Sequence, residues 1–191
     1  SSNAPANIEP ASGSVTVTAL TPPSVSITAP QTASADEGIL LSIHITNSNQ
    51  VPMQGLAIDL DYPAPFENAL AATTTCGGTV TGSGGTTTLS LTGGTVAASR
   101  SCAIALVLRA PIPGTHTFSI PAGAVSSTAG VSGVEVTAEV SVLARPSTSM
   151  SFEPQTINAG DTATLRILLS NPNDVPIGIS FFNPYPAGLV N

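Results

Sequence analysis

The chain has 191 residues and a formal net charge of −7, with 11 acidic residues against four arginines and no lysine. So few cations offer no surface for a phosphate backbone or for anionic lipids, which excludes nucleic-acid binding and argues against a membrane surface. With 41% hydrophobic residues, 8% charged residues and 17 each of glycine and proline, the composition argues against disorder and long helices and indicates an all-β protein. No apolar run is long enough for direct membrane insertion.

Residues 1–22 are predicted to hold a tag remnant followed by one strand. Ser2–Ala4 is typical of a vector-derived sequence and plays no part in the fold prediction. Ser14–Ala19 alternates between polar and apolar residues after a Ser-Gly turn. Because a similar pattern occurs at Val134–Val140, we interpret the N-terminal strand as the last strand of a preceding repeat.

Residues 23–144 are predicted to form one complete β-sandwich domain. Stretches of alternating apolar and polar residues are separated by turns about every ten residues, which indicates an antiparallel sandwich. The stretches are 24–28, 39–46, 56–61, 79–81, 86–91, 101–109, 115–120 and 134–142. Gly82–Gly85 and Gly93–Gly94 are predicted to be turns between strands. A β-barrel would show the same alternation, so the periodicity alone does not separate the two architectures.

The stretch Ile39–Pro52 occurs a second time, at Ala163–Pro176. Leucine, isoleucine, asparagine and Val-Pro positions coincide at a constant offset of 124 residues, which predicts a tandem array of domains. Residues 145–191 are therefore predicted to be the N-terminal half of a following repeat. The linker Thr21–Pro23 coincides with Arg145–Ser147 at the same offset, and such short proline-containing linkers are fairly stiff.

The predicted half repeat would expose strand edges and an apolar sheet face. We therefore expect it to be completed from outside, by strand-edge self-association with the N-terminal strand of a neighbouring chain. Neighbouring repeats of the same protein are the other expected partners. The alternative is a soluble fragment whose last residues pack on the complete domain.

Several motifs in the two copies carry a resemblance to a known family. They are Phe152-x-Pro154-x-x-Ile157-x-x-Gly160, Leu165-x-Ile167-x-Leu169-x-Asn171-Pro172-Asn173, Pro186–Val190, Cys76–Val80, Leu91–Val96, Ser101–Cys102 and Ile120–Val125. These motifs resemble the "conserved repeat domain" of bacterial surface proteins, a family of tandem Ig-like modules of unknown function. The complete copy departs from the family pattern at Pro63–Phe66, where the family has Pro-Ala-Gly-Leu, and is a divergent member.

The resemblance implies an Ig-like antiparallel β-sandwich repeat, with one complete copy and a partial second copy. It also implies an exported protein, extracellular or on the bacterial cell surface, with a spacer or adhesion role and no catalytic residues. These implications concern fold and location, and they add no ligand-binding residue to those considered below.

Cys76 and Cys102 are the two cysteines of the chain, and they are predicted to form a disulfide. A cysteine pair suits an oxidising compartment, Cys102 shares the apolar face of its strand with Ile104, and the family places its cysteines similarly. A pair of buried free thiols is the alternative. Two cysteines and two histidines are too few to suggest a structural zinc site.

The two histidines do not indicate catalysis. His44 lies on the polar face of its stretch, and the corresponding residue of the second copy is Leu168. His116 shares an apolar row with Phe118, where a hydrogen-bonded core histidine is the usual outcome. No serine lies in a nucleophile-elbow context, so no catalytic residue is predicted.

Asp59 and Asp61 share one face of a predicted strand and could bind calcium together with Asp36 or Glu37. The second copy has phenylalanine and proline at the two strand positions, so solvated acids are the preferred interpretation. No metal and no cofactor are predicted. The Gly-rich stretch 77–94 contains no lysine, which excludes a phosphate-binding loop, and a chain without lysine cannot form a lysine isopeptide crosslink.

The sequence predicts a structural spacer module of a bacterial cell-surface or secreted multi-repeat protein, and not an enzyme. An adhesive module that binds a host, matrix or glycan ligand is one alternative. With no tryptophan and only Tyr62 and Tyr185, an aromatic platform for carbohydrate has little support. An accessory domain of a secreted enzyme is the other alternative.

Overall fold

The computed structural model describes residues 13–15, 17–185 and 187–190, and every regular element in this part of the chain is a β-strand. The strands are β1 (Ser24–Thr28), β2 (Thr32–Ser34), β3 (Ile39–Asn47), β4 (Met53–Asp61), β5 (Glu67–Asn68), β6 (Thr73–Thr74), β7 (Thr79–Thr81), β8 (Thr88–Val96), β9 (Arg100–Arg109), β10 (Gly114–Ile120), β11 (Val125–Ser127), β12 (Gly130–Val131), β13 (Val136–Leu143), β14 (Ser147–Glu153) and β15 (Thr164–Ser170). The predicted all-β, largely antiparallel sandwich is confirmed. None of the described residues belongs to a helix that could cross a lipid bilayer.

Strands β1 to β13 form a sandwich, which we call the N-terminal sandwich. Its first sheet has the strand order β1-β3-β9-β5, with β6 also paired to β9. Its second sheet has the order β12-β11-β4-β8-β7, and β10, β13 and β2 form a three-stranded sheet. Apolar residues from all three sheets meet in one core.

Strand β3 shows how the sequence builds this core. Its residues are alternately buried and more exposed along all nine positions, as expected for a strand with one face on the core. Leu41 lies opposite Leu106 of β9, and Ile43 lies opposite Ile104. All four side chains are almost fully buried, and burial of each such side chain contributes about 1.5 to 3 kcal/mol.

The predicted turn at Gly93–Gly94 is wrong, because both glycines lie inside β8. The pairing of β8 with β4 is irregular in this region: Leu56 lies opposite Gly94, and Ile58 lies opposite Leu91. One additional residue is therefore accommodated on β8, and Gly93 takes a positive φ of 71°. Glycine is the residue that adopts such a conformation without steric cost, so it forms a bulge within a continuous strand and not a turn.

One described strand pair departs from the antiparallel pattern. β13 pairs in parallel with β2, with Ser141 opposite Thr32 and Leu143 opposite Ser34. The preceding strand β1 pairs antiparallel with β3 in another sheet. Pro30 lies between β1 and β2, and its missing N–H suits the place where the chain leaves one sheet for the next. Sequence periodicity gives no information about this exchange of partners.

Strands β14 and β15 form an antiparallel pair after the sandwich, which we call the C-terminal strand pair. Ser147 lies opposite Ser170, just as Ser24 lies opposite Thr46 in the β1–β3 pair. Since Thr46 corresponds to Ser170, Ser24 corresponds to Ser147. The predicted correspondence of Thr21–Pro23 with Arg145–Ser147 is therefore wrong by one residue, because it matched prolines and not strand register.

The strand predicted at Ser14–Ala19 does not form in the described residues. Residues 13–15 and 17–20 are irregular, and Val15 and Val17 are almost fully exposed. A strand needs a hydrogen-bonded neighbour, and none of the described strands pairs with this segment. Ser2–Ala4 lies outside the described residues, and the assignment of residues 1–22 to a preceding repeat stays a prediction.

Candidate functional site

The predicted disulfide is present between Cys76 and Cys102. The Cα atoms are 5.0 Å apart and the sulfur atoms are bonded, and both residues are buried. Cys102 lies in the middle of the first sheet, opposite Ile45. The backbone of Cys76 is held as well, because Thr95 N donates a hydrogen bond of 2.7 Å to Cys76 O. The bridge and this hydrogen bond together attach the connection between β6 and β7 to both sheets.

The structure places the two histidines in different sheets and in ordinary surroundings. His44 is half-buried on the outer face of β3, between Ser26 of β1 and Ala103 of β9. The Nε2 atom of His116 lies 2.7 Å from Ile112 O, and its ring contacts Phe66 edge-on at a centroid distance of 6.0 Å. Within the described part of the chain, neither histidine is hydrogen-bonded to a nucleophile or to a second acid–base side chain.

The acidic residues are not gathered into a metal site. Asp59 and Asp61 point outward from β4, opposite Ser90 and Thr88 of β8. Asp36 lies beyond the end of β2, with a carboxylate oxygen 3.9 Å from the Arg145 guanidinium. Across the described residues, no group of three or more His, Cys, Asp or Glu side chains is placed to hold a metal ion.

The most organised polar cluster lies where the chain enters the sandwich. The side-chain oxygen of Asn49 accepts a hydrogen bond of 2.8 Å from Thr21 N, and Asn49 Nδ2 donates one of 2.9 Å to Thr21 O. The amide side chain thus pairs with the backbone of Thr21 as a neighbouring strand would. We call the set of Asn47, Asn49 and Thr21 the first clamp.

Asn47 holds Asn49 in place within the first clamp. Asn47 is buried at the end of β3, and its Oδ1 accepts hydrogen bonds from Asn49 N and Asn49 Nδ2 at 3.0 and 2.9 Å. Its Nδ2 donates to the carbonyl oxygens of Val51, Val96 and Ala97 at 2.9 to 3.1 Å. Every polar atom of this buried amide is satisfied, which makes the cluster rigid.

The same arrangement occurs at the junction between the sandwich and the C-terminal strand pair. Asn173 Oδ1 accepts a hydrogen bond of 2.7 Å from Ala144 N, and Asn173 Nδ2 donates one of 2.9 Å to Ala144 O. Asn171 Oδ1 accepts from both nitrogens of Asn173, and Asn171 Nδ2 donates to Val175 O. We call Asn171, Asn173 and Ala144 the second clamp.

The junction is also held from the side of the sandwich. The Arg145 guanidinium donates two hydrogen bonds of 3.2 Å to Ala35 O. Ala144 is thus hydrogen-bonded to Asn173, in the segment that follows β15. Arg145 is hydrogen-bonded to the sandwich that precedes it. Residues 144–146 are the whole connection between β13 and β14, so two of its three residues are fixed.

The sequence contains a signal for the two clamps, but the prediction of a simple turn does not account for it. Asn47 and Asn49 recur as Asn171 and Asn173 within the repeated stretch, and asparagine in an Asn-rich turn is explained equally well by local backbone bonding. The partners Thr21 and Ala144 lie 28 and 29 residues away in sequence, and no local pattern identifies them.

A second buried polar pair lies beneath the β4–β5 connection. Tyr62 donates a hydrogen bond of 3.1 Å from its hydroxyl to Asn68 Oδ1, and Asn68 is fully buried. Burial raises the pKa of the Tyr62 hydroxyl. The native state therefore retains the tyrosine proton more strongly than the unfolded chain does.

This pKa shift predicts a loss of stability in strong alkali. Because the native pKa of Tyr62 is raised, its contribution is complete below the ordinary tyrosine pKa of about 10 and is lost as the pH rises through the native value. In a Tyr185→Phe variant Tyr62 is the remaining tyrosine, and the chain has no tryptophan. Its tyrosinate absorbance is expected to appear above pH 10 in the native protein and near pH 10 in urea. A native midpoint at or below the urea midpoint would contradict the prediction.

Comparison with known protein families finds a match over most of the N-terminal sandwich. A family model described as "Domain of unknown function (DUF7933)" matches residues 23–142. This range begins immediately before β1 and ends one residue before the end of β13. No curated protein matches the sequence.

Twelve chains of solved structures match this chain, and three of them, all of low identity, are described here. BslA, a bacterial hydrophobin, is 14% identical with a TM-score of 0.42, over 66% of this chain and 97% of that chain. A non-cellulosomal cohesin from the hyperthermophilic archaeon Archaeoglobus fulgidus is 9% identical with a TM-score of 0.40, over 63% and 91%. A yeast delta-COP-I mu-homology domain is 13% identical with a TM-score of 0.30, over 65% and 57%. At TM-scores this low, none of the three bears on the function of this chain.

Proposed function

As a member of the DUF7933 family, whose description names no activity, the chain carries a β-domain for which we propose a structural role. It is a spacer module of an exported multi-repeat protein, and it performs no catalysis. The observation that carries this proposal is the junction of residues 144–146, which is hydrogen-bonded on one side to the sandwich and on the other to Asn173, in the segment that follows β15. A spacer needs a defined relation between successive modules, and this junction supplies one.

The two clamps support a repeated use of the same connection. The Asn49 side chain is hydrogen-bonded to the backbone of the residue three positions before β1. The Asn173 side chain is hydrogen-bonded to the backbone of the residue three positions before β14. The same side chain therefore orients the incoming chain in both places. If further copies follow the same pattern, each module takes the same orientation relative to the one before it, which gives a semi-rigid rod.

The disulfide supports the exported location. Disulfides persist in oxidising compartments and are rare where glutathione keeps thiols reduced. The resemblance to the bacterial conserved repeat domain points to the same compartment. We place the protein at the bacterial cell surface or outside the cell, with neighbouring repeats as its direct partners.

An exposed apolar cluster favours adhesion as the second candidate function. Leu40 of β3 lies opposite Val107 of β9, and Leu70 N donates to Val107 O. Leu40, on the outer face of β3, and Leu70, in the connection between β5 and β6, are 60% and 61% exposed. Binding of the isolated protein to glycan or matrix-protein arrays, abolished by Leu40→Ser with Leu70→Ser, would favour the adhesive role over the spacer role.

The spacer proposal predicts that Asn173→Ala loosens the junction. The substitution removes both hydrogen bonds to Ala144, which together stabilise the fixed orientation by about 1 to 3 kcal/mol. Spin labels on Thr92→Cys in the sandwich and Leu168→Cys in the strand pair report the distance between the two parts. We expect a narrow distance distribution in the labelled parent and a clearly broader one after Asn173→Ala.

Asn158→Ala is the matched control, because the recorded hydrogen bonds of Asn158 go to Asp161 and not to the junction. Its distance distribution is expected to equal that of the labelled parent. A broad distribution in the parent itself, or no broadening after Asn173→Ala, would refute a junction of fixed geometry.

A further inference from the structure

The parallel pair of β2 and β13 joins the beginning of the N-terminal sandwich to its end. Thr32 lies opposite Ser141, and Ser34 lies opposite Leu143. Because the two strands run in the same direction, the chain enters this pair at one end of the sandwich and leaves it at the other. Tension applied between the two ends therefore pulls β2 and β13 past each other along their length.

Backbone hydrogen bonds hold this pair at both of its limits. Ser141 N donates to Gln31 O over 2.9 Å, and Ala35 N donates to Leu143 O over 2.9 Å. Interstrand bonds run across the strands, so tension along the strands loads them together. Peeling the same strands apart would instead load one bond at a time.

Two neighbouring features extend the load-bearing region. The five residue pairs between β1 and β3, from Ser24 opposite Thr46 to Thr28 opposite Ser42, are antiparallel and are also sheared when β1 is drawn out along its axis. At the other end, Arg145 donates two hydrogen bonds to Ala35 O. The connection between β13 and β14 is thus hydrogen-bonded to the residue that directly follows β2.

The disulfide limits how far the sandwich can extend. Cys76 and Cys102 are 26 residues apart in sequence, and neither lies in β2 or β13. The bridge therefore leaves the sheared strands free while keeping the enclosed segment from being drawn out. A fully extended segment of 26 residues spans about 90 Å.

We propose that the N-terminal sandwich is a tension-bearing module, in which the β2–β13 pair resists force between the chain ends and the Cys76–Cys102 bridge limits extension. This proposal rests on the spacer function, because a spacer between two attachment points is the kind of module that carries tension. The mechanical property is measured separately: a loose junction in the spin-label experiment would refute the rigid spacer and leave the force measurement untouched.

The test is single-molecule stretching of the full chain in two directions. With handles at the chain termini, β2 and β13 are sheared; with handles on Glu37→Cys and Ser147→Cys, their adjacent ends are peeled apart. We expect the unfolding force under shear to exceed the peeling force by roughly twofold or more, because forced unfolding follows the barrier that the loaded contacts present. Equal forces in the two directions would overturn the proposal.

A pair of variants separates mechanical from thermodynamic stability. Ala33→Pro removes an N–H from the centre of β2 and is expected to abolish most of the difference between shear and peeling. Ile58→Val, a mild truncation in the second sheet, is expected to lower urea stability with little effect on the shear force. The proposal fails if Ile58→Val lowers the shear force as much as Ala33→Pro at equal loss of urea stability.

The extension itself tests the role of the bridge. Under shear, the unfolding step of the sandwich is expected to lengthen by about 90 Å when the protein is reduced, with the peak force unchanged. A reduced step of the same length as the oxidised step would contradict the assigned limit on extension. A reduced protein that loses the peak force would show that the bridge, and not the β2–β13 pair, carries the load.

Discussion

Replacement of both Cys76 and Cys102 by alanine is expected to lower the free energy of unfolding by about 3.5 kcal/mol. The bridge closes a loop with a sequence separation of 26, and in the chain-entropy model a loop of this length restricts the unfolded state by about that amount. Alanine is the suitable replacement because both positions are buried, where a serine hydroxyl would need a hydrogen-bond partner. Urea denaturation followed by circular dichroism measures the difference.

Reduction of the unmodified protein gives the matched control. Dithiothreitol is expected to shift its urea midpoint toward that of the double alanine variant, whereas the midpoint of the variant itself should not respond. If reduction lowers the free energy of unfolding by less than about 1 kcal/mol, then the native contacts around Cys76, and not the covalent bridge, restrict the chain.

Asn68→Ala is expected to lower the free energy of unfolding by about 3 to 5 kcal/mol. Asn68 is fully buried, and its Nδ2 donates to Thr86 Oγ1 and to Thr88 O at 3.0 Å. Alanine leaves the Tyr62 hydroxyl and the Thr88 carbonyl without these partners inside the protein. The cost exceeds that of a single lost hydrogen bond, because unsatisfied buried groups retain their full desolvation penalty.

An asparagine-to-alanine change at an exposed site shows how much of the expected loss of stability is due to the burial of Asn68. Asn158 is exposed and lies outside the sandwich. Asn158→Ala should therefore change the free energy of unfolding of the sandwich by less than about 0.5 kcal/mol. If Asn68→Ala were equally mild, water would have to replace its hydrogen bonds, and the connection between β4 and β5 would not be a fixed part of the core.

The alternation of apolar residues predicted the sheets because burial of one face leaves a period of two in the sequence. β3 follows this period along its whole length and β9 follows it from Ser101 onward, and both strands were located correctly. β8 was divided at Gly93 because a pair of glycines usually marks a turn. Only the pairing with β4 shows that the strand continues through a bulge.

The clamps show a different limit of sequence reasoning. Repetition of Asn47 and Asn49 was visible, but repetition does not reveal what a side chain bonds. Matching the linkers by their prolines displaced the correspondence by one residue, whereas strand register aligns Thr21 with Ala144. Asn68 was not identified at all, because a single buried asparagine leaves no periodic signal.

The irregular pairing of β4 with β8 has a consequence for how these strands can change over evolution. One strand carries an additional residue between Met53 and Leu56, the other carries one between Leu91 and Gly94, and the register is the same before and after the two. Loss of either residue alone would turn the adjoining part of a strand inside out, since a slip of one residue exchanges core and solvent faces. Loss of both would keep the register on either side, so we expect an insertion or deletion here to preserve the fold only when a compensating one accompanies it.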